Sequence, residues 1–518
     1  MKVSTLVAGA TLLTAPALAN DWKPSPPKPT PSKPAHPQKL VSSEALQKEI
    51  TLEALLAGSQ KLQDIATANG GNRAFGGGGH NATAEWLYQE LLATGYYDVY
   101  KQPFTELFSA ATVRLSVGGN SSVPAEYMTY GPSGNFTGPI VRVNNLGCDA
   151  SDYPAEVSGK IALISRGTCT FGAKATTAKA AGAAAVIIYN NLPLQALSGT
   201  LGAVGTYAPT VGVTQEVGNQ IIAAIAAGSA QGTVFVNTIE EQRVSYNVIA
   251  ETKGGDHDNV LMIGGHSDSV YAGPGINDDG SGSIGSLVVA KALAKFKVKN
   301  AVRFGWYSAE EFGKLGSFHY LRTLNGTISG GPQEVAKIRA YLNFDMIASP
   351  NYVLGIYDGD GSAFNFSGPA GSDTIEKDFE AFYESKGKAH VPSLFTLRSD
   401  YAAFLENGIP SGGLFTGAET LKTAEEALLF GGEAGQPLDA CYHKACDNID
   451  NLDNDVYLLN TQSIANSVAK YAVDWAGIPR PGQKLRRRTA DKARAVSRFD
   501  RGGHGHHGQP CGSGHTEL

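Results

Sequence analysis

The sequence of 518 residues has little charge, few cysteines and no long apolar run. Charged residues are only 17% of the chain, which excludes a disordered polyelectrolyte, and the net charge is −6. A mildly acidic chain lacks the basic footprint of nucleic-acid-binding proteins, so we expect no nucleic-acid partner. The 62 glycines lie far below the content of about one in three that collagen needs, and no internal repeat is visible.

The apolar runs are too short to cross a membrane, which takes about 20 residues. The run Leu6–Leu13 precedes the small-x-small triplet Ala17-Leu18-Ala19, a pattern typical of a secretory signal peptide over residues 1–19. The other apolar stretches, Ala181–Tyr189 and Ile221–Ala227, are also short. We therefore expect an exported protein without a membrane contact. The extracellular space is the expected location, with the vacuolar lumen as the alternative, because both are reached through the same signal.

Five acceptor triplets for N-linked glycosylation agree with export. Single triplets of this kind occur by chance, but together with a signal peptide they predict a glycosylated surface. The five acceptors are Asn81, Asn120, Asn135, Asn325 and Asn365.

The five cysteines are expected to pair in an oxidising compartment. Cys441 and Cys446 are close enough to close a short loop, and Cys148 and Cys169 lie in one region and could form a second bridge. Cys511 is left over. Zinc binding by these cysteines is the competing interpretation, but the chain contains no Cys-x-x-Cys pair.

Changes in composition along the chain predict how it is organised. A Pro-rich linker or propeptide covers residues 20–40, and strands alternating with helices predict an α/β domain formed by residues 41–110 and 241–478. Short strands with Gly and Pro turns predict a small β-rich domain inserted at residues 111–240. The basic, Gly- and His-rich tail at residues 479–518 is predicted to be disordered.

Most of the potential metal ligands follow apolar strands. In open α/β sheets, sites form just beyond the carboxyl ends of the strands, so we expect these side chains to lie together. A Gly/Pro-containing loop adds Asp278, and His443 lies between two cysteines. The remaining candidates are His266 and Asp268 after Val260–Gly264, Glu310 and Glu311 after Val302–Tyr307, and Asp345 after Ile338–Phe344.

These polar residues have no simple structural explanation as a group. Singly, Asp278 or Asp279 could cap the helix that begins near Ser283, and Glu310 and Glu311 could be a surface pair. Together, two imidazoles and three or four carboxylates would repel each other unless cations lay among them. Mixed nitrogen and oxygen ligands suit zinc, and two zinc ions about 3.5–4 Å apart can share one carboxylate. The sequence therefore predicts two Zn²⁺ ions per chain.

Five motifs, in order, resemble those of the co-catalytic dizinc aminopeptidases. The inserted region Cys148–Asn191 also resembles the protease-associated (PA) domain of the secreted fungal leucine aminopeptidases and the vacuolar aminopeptidase Y type. The resemblance covers residues 41–478 and implies a zinc-exopeptidase α/β sandwich with a mixed central sheet and an inserted PA domain. The motifs are His266-Ser-Asp-Ser-Val, Pro274-Gly-Ile-Asn-Asp-Asp-Gly-Ser-Gly, Ser308-Ala-Glu-Glu-Phe-Gly-Lys-Leu-Gly-Ser, Asn343-Phe-Asp-Met-Ile and Tyr442-His-Lys-Ala-Cys-Asp.

The resemblance implies a role for each ligand. Asp278 would bridge the two zinc ions. One ion would take His266 and Asp345, and the other would take Glu311 and His443. Each zinc would then keep an open position, as catalytic zinc sites do.

Two further acids would act beside the ligands. The resemblance implies that Asp268 fixes the tautomer of the His266 imidazole and that Glu310 is the general base, which takes a proton from the attacking water and passes it to the leaving amine. It also implies a cis peptide bond between Asp278 and Asp279.

Four residues are candidates for substrate binding. The resemblance implies that Arg398 lies near the end groups of the substrate and that Phe415 forms a pocket wall. The alternatives are an ion pair with Asp400 and plain core packing. Tyr442 would donate to the developing oxyanion, or pack beside the adjacent ligand, and Met346 would line the pocket or the core. An apolar pocket of this kind would favour leucine-like N-terminal residues.

We therefore expect a monomeric, secreted zinc aminopeptidase that acts on peptides with a free N-terminus. A carboxypeptidase that releases glutamate and a glutaminyl cyclase use the same scaffold, and only Arg398 hints at the former. A non-catalytic, receptor-like ectodomain is disfavoured because every ligand and Glu310 are present and no membrane span is found.

Overall fold

The computed structural model describes residues 39–192, 196–326 and 331–480. The expected signal peptide, most of the Pro-rich segment and most of the basic tail with Cys511 lie outside these ranges. Among the described residues, no helix combines the length and the apolar character that crossing a bilayer requires.

Helices and strands alternate through most of the described chain. The helices are α1 Ser43–Gln47, α2 Leu52–Ala68, α3 Gly78–Ala93, α4 Phe171–Ala180, α5 Gln215–Ala226, α6 Gly280–Leu293, α7 Leu315–Leu324, α8 Pro332–Ala336, α9 Ser372–Ser385, α10 Tyr401–Glu406, α11 Ala424–Phe430 and α12 Asn454–Tyr471. The strands are β1 Tyr97–Val117, β2 Asn120–Val123, β3 Glu126–Thr129, β4 Gly134–Arg142, β5 Ile161–Ser165, β6 Ala185–Tyr189, β7 Gly199–Thr200, β8 Thr210–Val213, β9 Gln231–Thr252, β10 Asp256–His266, β11 Asn300–Tyr307, β12 Ile338–Phe344, β13 Gly355–Tyr357, β14 Val391–Ser393 and β15 Ser411–Phe415.

A mixed sheet forms the centre of the larger part of the molecule. Its strand order is β14-β13-β15-β12-β10-β11-β9, with β1 paired to β9. β11, β10, β12 and β15 run parallel, whereas β9 and β13 are antiparallel to their neighbours β11 and β15. The predicted mixed α/β sheet is confirmed.

Helices cover both faces of this sheet, which explains why its central strands are almost wholly apolar. In β10, Leu261 and Ile263 pack in the core that contains α6, whereas Met262 packs on the opposite side in the core that contains α7. Alternating side chains of one strand thus serve two separate cores, and the sheet has no solvent-exposed face at this point.

The inserted domain stands at the end of a two-stranded ribbon. β1 and β9 pair along their whole length, from Tyr97 opposite Thr252 to Val117 opposite Gly232. Between them lies a second sheet of order β4-β5-β6-β8-β3, with α4 and α5, which has its own buried cores. The predicted β-rich insert is therefore confirmed. The limits 111–240 remain a prediction, because both ribbon strands continue through them.

The parallel register brings the ends of three strands to one edge of the sheet. His266 at the end of β10 lies opposite Tyr307 at the end of β11, and Gly264 lies opposite Asn343 near the end of β12. Gly265 permits this close approach, because a Cβ there would lie 2.4 Å from the carbonyl oxygen of Phe344. The residues that follow these strands therefore share one site.

The buried central strand predicts a large cost for a cavity. Leu342 of β12 is fully buried, so Leu342→Ala should lower the free energy of unfolding by about 3 kcal/mol, measured by equilibrium urea denaturation. The matched control is Leu428→Ala, whose leucine is 88% exposed and should change stability by less than about 0.5 kcal/mol. Equal effects of the two substitutions would contradict this description of the core.

Candidate metal centre

Two groups of potential metal ligands share one carboxylate. His266, Asp278 and Asp345 form one group, and Asp278, Glu311 and His443 form the other, with ligand atoms within 4.8 Å of one another in each group. Oδ1 of Asp278 lies 3.3 Å from Nε2 of His266, and Oδ2 of Asp278 lies 3.2 Å from Nε2 of His443. The two oxygens of a single carboxylate therefore face two separate sites.

The outer ligands complete each group. Nε2 of His266 lies 3.6 Å from Oδ1 of Asp345, and Nε2 of His443 lies 2.9 Å from Oε2 of Glu311. The donors come from a strand end, three loops and the disulfide-closed segment Cys441–Cys446. Each site offers one imidazole nitrogen and two carboxylates, the mixed donor set that zinc accepts.

The charges at this edge are far from balanced. Six carboxylates are buried here with two histidines, and buried charges are costly unless they are paired or bind metals. Burial and the nearby Asp278 raise the pKa of Glu311 to about 7. Burial disfavours the charged form of His266, but the neighbouring Asp345, Asp268 and Asp278 together outweigh this effect and raise the pKa of His266 well above its usual value. The carboxylates are Asp268, Asp278, Asp279, Glu310, Glu311 and Asp345.

Unsatisfied polar atoms show that cations fit the two groups. Among the described residues, Nε2 of His443 and Oε1 of Glu311 are buried and have no hydrogen-bond partner. Burial also opposes ionisation of Asp278, but its close contacts with His266 and His443 lower its pKa below the usual range. A carboxylate that stays ionised between nitrogen and oxygen donors is a suitable ligand for a divalent cation.

Asp279 holds together the segments that carry three ligands. Its Oδ2 accepts a hydrogen bond from the backbone N–H of His266, and its Oδ1 accepts from the N–H groups of Gly282 and Met346. Asp279 is therefore the residue that caps α6, which begins at Gly280. The peptide bond between Asp278 and Asp279 is cis, as the family resemblance implies.

Arg73 fixes the backbone of two loops through hydrogen bonds to their carbonyl oxygens. Its guanidinium is fully buried and donates to the carbonyl oxygens of Ser267, Pro274 and Gly275. Buried carbonyl oxygens need such donors, and charge-assisted hydrogen bonds contribute about 1.5–3 kcal/mol each. The loop with His266 and the loop that leads to Asp278 are thereby connected through one side chain.

Asp447 connects the loop of Asp278 with the loop of His443. Its carboxylate accepts hydrogen bonds of 2.8 and 3.0 Å from the backbone N–H groups of Asn277 and Asp278. Burial and the neighbouring Asp439 raise the pKa of Asp447 to about 8. Both predicted disulfides are present, and the bridge between Cys441 and Cys446 closes the segment that carries His443.

Glu310 and Asp268 lie beside the ligands. Oε2 of Glu310 is 4.0 Å from Nε2 of His266, and Oε1 of Glu310 is buried without a hydrogen-bond partner among the described residues. Burial raises the pKa of Glu310 well above its usual range. Oδ1 of Asp268 accepts the N–H of Glu310 and lies 3.5 Å from Nδ1 of His266, whereas the carbonyl oxygen of Asp268 is closer to that nitrogen, at 3.2 Å.

Strained backbone is concentrated next to these side chains. Ala309, Met346 and His443 have φ values of 59°, 60° and 58°, in the left-handed region that ordinary residues avoid at a cost of about 1–2 kcal/mol each. Ala309 precedes Glu310, Met346 follows Asp345, and His443 is itself a potential ligand. Strain of this kind persists where the surrounding contacts hold it, as at functional sites.

The four predicted substrate residues lie together beside the ligands. Met346, Ala418 and Tyr442 form a small apolar cluster with the partly buried Phe415. The ring of Tyr442 stacks on His443 with centroids 3.8 Å apart. Phe415 also packs against the core that contains α7, so the core packing considered for it is present, and its role as a pocket wall stays a prediction.

The alternative ion pair of Arg398 with Asp400 is wrong. Nη2 of Arg398 lies 2.9 Å from Oε1 of Glu419, and it donates to the hydroxyl of Tyr442 at 3.4 Å. Asp400 precedes α10 and is fully buried, so its side chain is turned into the interior. The partner of Arg398 therefore comes from a different segment of the chain.

Several supporting residues have no clear signal in the sequence. Asp447, Glu419 and Ser399, which donates to Oδ2 of Asp345 at 2.6 Å, are distant in sequence from the groups they contact. Arg73 and Asp447 do stand in motifs that resemble those of the dizinc aminopeptidases, Gly70-Gly71-Asn72-Arg73-Ala74 and Tyr442-His-Lys-Ala-Cys-Asp, but the motifs give neither of them a role.

Comparisons with known proteins agree with this geometry. The model of peptidase family M28 matches residues 247–468, and that of the PA domain matches residues 136–221. The chain is 52% identical to the probable leucine aminopeptidase 2 of Aspergillus fumigatus, over 92% of each chain. It is 49% identical to leucine aminopeptidase 2 of Arthroderma otae, over 90% of this chain and 93% of that one.

Solved structures share the fold. The aminopeptidase from Aneurinibacillus sp. strain AM-1 is 27% identical, with a TM-score of 0.63, over 85% of this chain and 97% of that one. The zinc aminopeptidase BSAP from Bacillus subtilis is 23% identical, with a TM-score of 0.58, over 83% and 94% of the two chains, and this likeness concerns the fold alone.

A shared carboxylate with a buried glutamate nearby, at the edge of a mixed sheet, is typical of metal-dependent hydrolases. Relatives that are about half identical over nine-tenths of the chain narrow the class from metal-dependent hydrolases to aminopeptidases. The chain belongs to peptidase family M28, carries a PA domain, and is an aminopeptidase that acts on peptides. The prediction of an aminopeptidase is confirmed.

The disulfide around His443 should be needed for tight metal binding. We expect Cys441→Ser/Cys446→Ser to weaken zinc binding about tenfold, because the loop gains backbone freedom, as measured by competition with a chelator. The matched control, Cys148→Ser/Cys169→Ser, removes the bridge of the inserted domain and should leave zinc affinity unchanged. Equal losses in both variants would contradict a local role.

His80 should make stability depend on pH. Burial lowers its pKa to about 4, and it hydrogen-bonds the hydroxyls of Ser245 and Ser267. Below pH 6.5 the unfolded chain takes up a proton that the folded chain refuses, so stability is lost as the pH falls towards 4. This amounts to about 2 kcal/mol between pH 7 and pH 5.

The variant His80→Gln isolates this contribution. Its thermal midpoint should lie below that of the parent at pH 7, and the gap should narrow at pH 5, because only the parent loses stability through residue 80. A gap of the same size at both pH values, with zinc saturating throughout, would show that His80 does not titrate in this way.

Proposed function

We propose that this chain is a secreted, N-glycosylated aminopeptidase with two zinc ions, which removes leucine-like residues from the N-termini of peptides. The observation that carries the proposal is the carboxylate of Asp278, whose two oxygens each face a different histidine. One carboxylate with a separate partner on each side is the expected bridge of a two-metal hydrolase.

The ligand assignment follows the two groups. His266 and Asp345 hold one zinc, Glu311 and His443 hold the other, and Asp278 is common to both. When bound, the two zinc ions polarise the scissile carbonyl group and activate the attacking water.

Glu310 acts as the general base. Its free Oε1 can accept the proton of the attacking water, because burial raises the proton affinity of Glu310, and the proton then passes to the leaving amine. Asp268 orients Glu310 through the backbone N–H and stands next to Nδ1 of His266, so it positions both the base and a ligand.

The substrate pocket is apolar with acidic surroundings. Phe415 and Met346 form the wall that receives the first side chain, and the acidic side chains near the metals hold the free α-ammonium group. Tyr442 donates its hydroxyl to the developing oxyanion, and Arg398 supports that hydroxyl at 3.4 Å. The relatives from Aspergillus fumigatus and Arthroderma otae are named probable leucine aminopeptidase 2 and leucine aminopeptidase 2, which favours a leucine-like first residue.

Export and domain limits complete the proposal. Residues 1–19 are the signal peptide and 20–40 a propeptide or linker, and the catalytic domain consists of 41–110 and 241–478 around the insert 111–240. Four of the five glycosylation acceptors, Asn81, Asn120, Asn135 and Asn365, are exposed, and Asn325 is half-buried. The enzyme works as a monomer and binds neither nucleic acid nor a membrane.

Removing the base should stop turnover without loss of metal. Glu310→Gln keeps the size of the side chain, so we expect kcat to fall about a thousandfold while two zinc ions per chain are retained, as measured by kinetics and by elemental analysis. The control Glu384→Gln changes an exposed glutamate of α9 and should leave kcat unchanged. Substantial remaining activity of Glu310→Gln would exclude this mechanism.

The substrate class is tested with chromogenic anilides. Leucyl-anilide should be hydrolysed faster than lysyl- or glutamyl-anilide, N-acetyl-leucyl-anilide should resist, and a zinc chelator should stop the reaction. Release from the acetylated compound would contradict recognition of a free α-ammonium group. No release from any free amine would overturn the proposal.

A further inference from the structure

An ion pair stands at the edge of the proposed substrate pocket. Oε1 of Glu419 lies 2.9 Å from Nη2 of Arg398, and only 12% of the arginine side chain and 14% of the glutamate side chain are exposed. Arg398 also donates to the hydroxyl of Tyr442, which connects the pair with the pocket. A pair so shielded from water interacts more strongly than a surface pair.

The pocket itself is built from side chains that flank the ligands. Met346 follows Asp345, and Tyr442 precedes His443. Ala418, the residue immediately before Glu419, packs with both of them. The ion pair therefore borders the cluster, because Glu419 follows Ala418 and Arg398 contacts Tyr442.

The negative charge of Glu419 is offset by one neighbouring cation among the described residues. Among the described residues it forms an ion pair with Arg398 alone, and its Oε2 is buried without a hydrogen-bond partner. With both partners present, the two opposite charges at the edge of the pocket offset each other. Removal of Glu419 would take away the negative charge that faces Arg398, and removal of Arg398 would take away the positive charge that faces Glu419.

We propose that Glu419 is a specificity-determining residue, which neutralises Arg398 and thereby makes the pocket select uncharged N-terminal residues. The inference rests on the proposed leucine-directed function. It follows the general rule that specificity arises from charges placed against the wrong partner as well as from contacts with the right one. Glutamyl substrates are rejected by Glu419, and lysyl substrates are rejected by Arg398.

Charge-removing variants of the same size test the proposal. In Glu419→Gln, the Arg398 guanidinium no longer faces the carboxylate of Glu419 and should attract the carboxylate of the substrate, so kcat/KM for glutamyl-anilide relative to leucyl-anilide should rise about tenfold. In Arg398→Gln, the free carboxylate should raise the ratio of lysyl- to leucyl-anilide by a similar factor. The double variant should return both ratios to within about threefold of the parent values, because no charge then remains.

The matched control is Glu425→Gln, which removes an exposed glutamate of the neighbouring helix α11 and should leave both ratios unchanged. Zinc content and the thermal midpoint of each variant establish that the compared proteins are folded and loaded. Because ratios are compared, a general loss of rate caused by movement of Tyr442 does not imitate the expected result.

Three outcomes would overturn the inference. The first is that the kcat/KM ratios are unchanged in folded Glu419→Gln. The second is that kcat/KM for glutamyl-anilide and for lysyl-anilide, each relative to leucyl-anilide, rise together in one single variant. The third is that the double variant keeps the altered ratio of one of the single variants. Failure of the parent enzyme to cleave leucyl-anilide would instead contradict the proposed function, so the two failures are distinguishable.

Discussion

The carboxylate of Asp278 is the constraint on which the site depends. Its oxygens lie 3.3 and 3.2 Å from the imidazoles of His266 and His443, which come from segments far apart in the sequence. A small rotation of this carboxylate would break its contact with one of the two imidazoles. The backbone N–H of Asp278 is accordingly held by Asp447, and the next residue, Asp279, binds the backbone of the segments that carry His266 and Asp345.

The site concentrates negative charge in the interior, and the fold supports it at the expense of stability. Burial raises the pKa of Glu310 and of Glu311, which means that the protein without cations would have to bind protons there. Left-handed backbone at Ala309 and Met346 adds local strain. Cations that neutralise the carboxylates therefore stabilise the folded state as well as supplying the chemistry.

The sequence alone was sufficient to predict that the potential ligands lie together, and it was insufficient to predict the residues that support them. Strand ends can be recognised from apolar runs, and the residues after them share an edge because parallel strands align their carboxyl ends. The supports depend on tertiary contacts. Arg73 donates to Pro274, 201 residues away, and Asp447 accepts from Asp278, 169 residues away. Contacts of this kind leave no periodic pattern in the sequence, so they cannot be predicted from it. For the same reason Asp400 was a plausible but wrong partner for Arg398.

The most direct test of the account is the position and number of the bound metal ions, located by anomalous diffraction at the zinc absorption edge. The account predicts two peaks, one beside His266 and Asp345 and one beside Glu311 and His443, with the carboxylate of Asp278 between them. A single peak in fully loaded crystals, or two peaks that do not share Asp278, would contradict it.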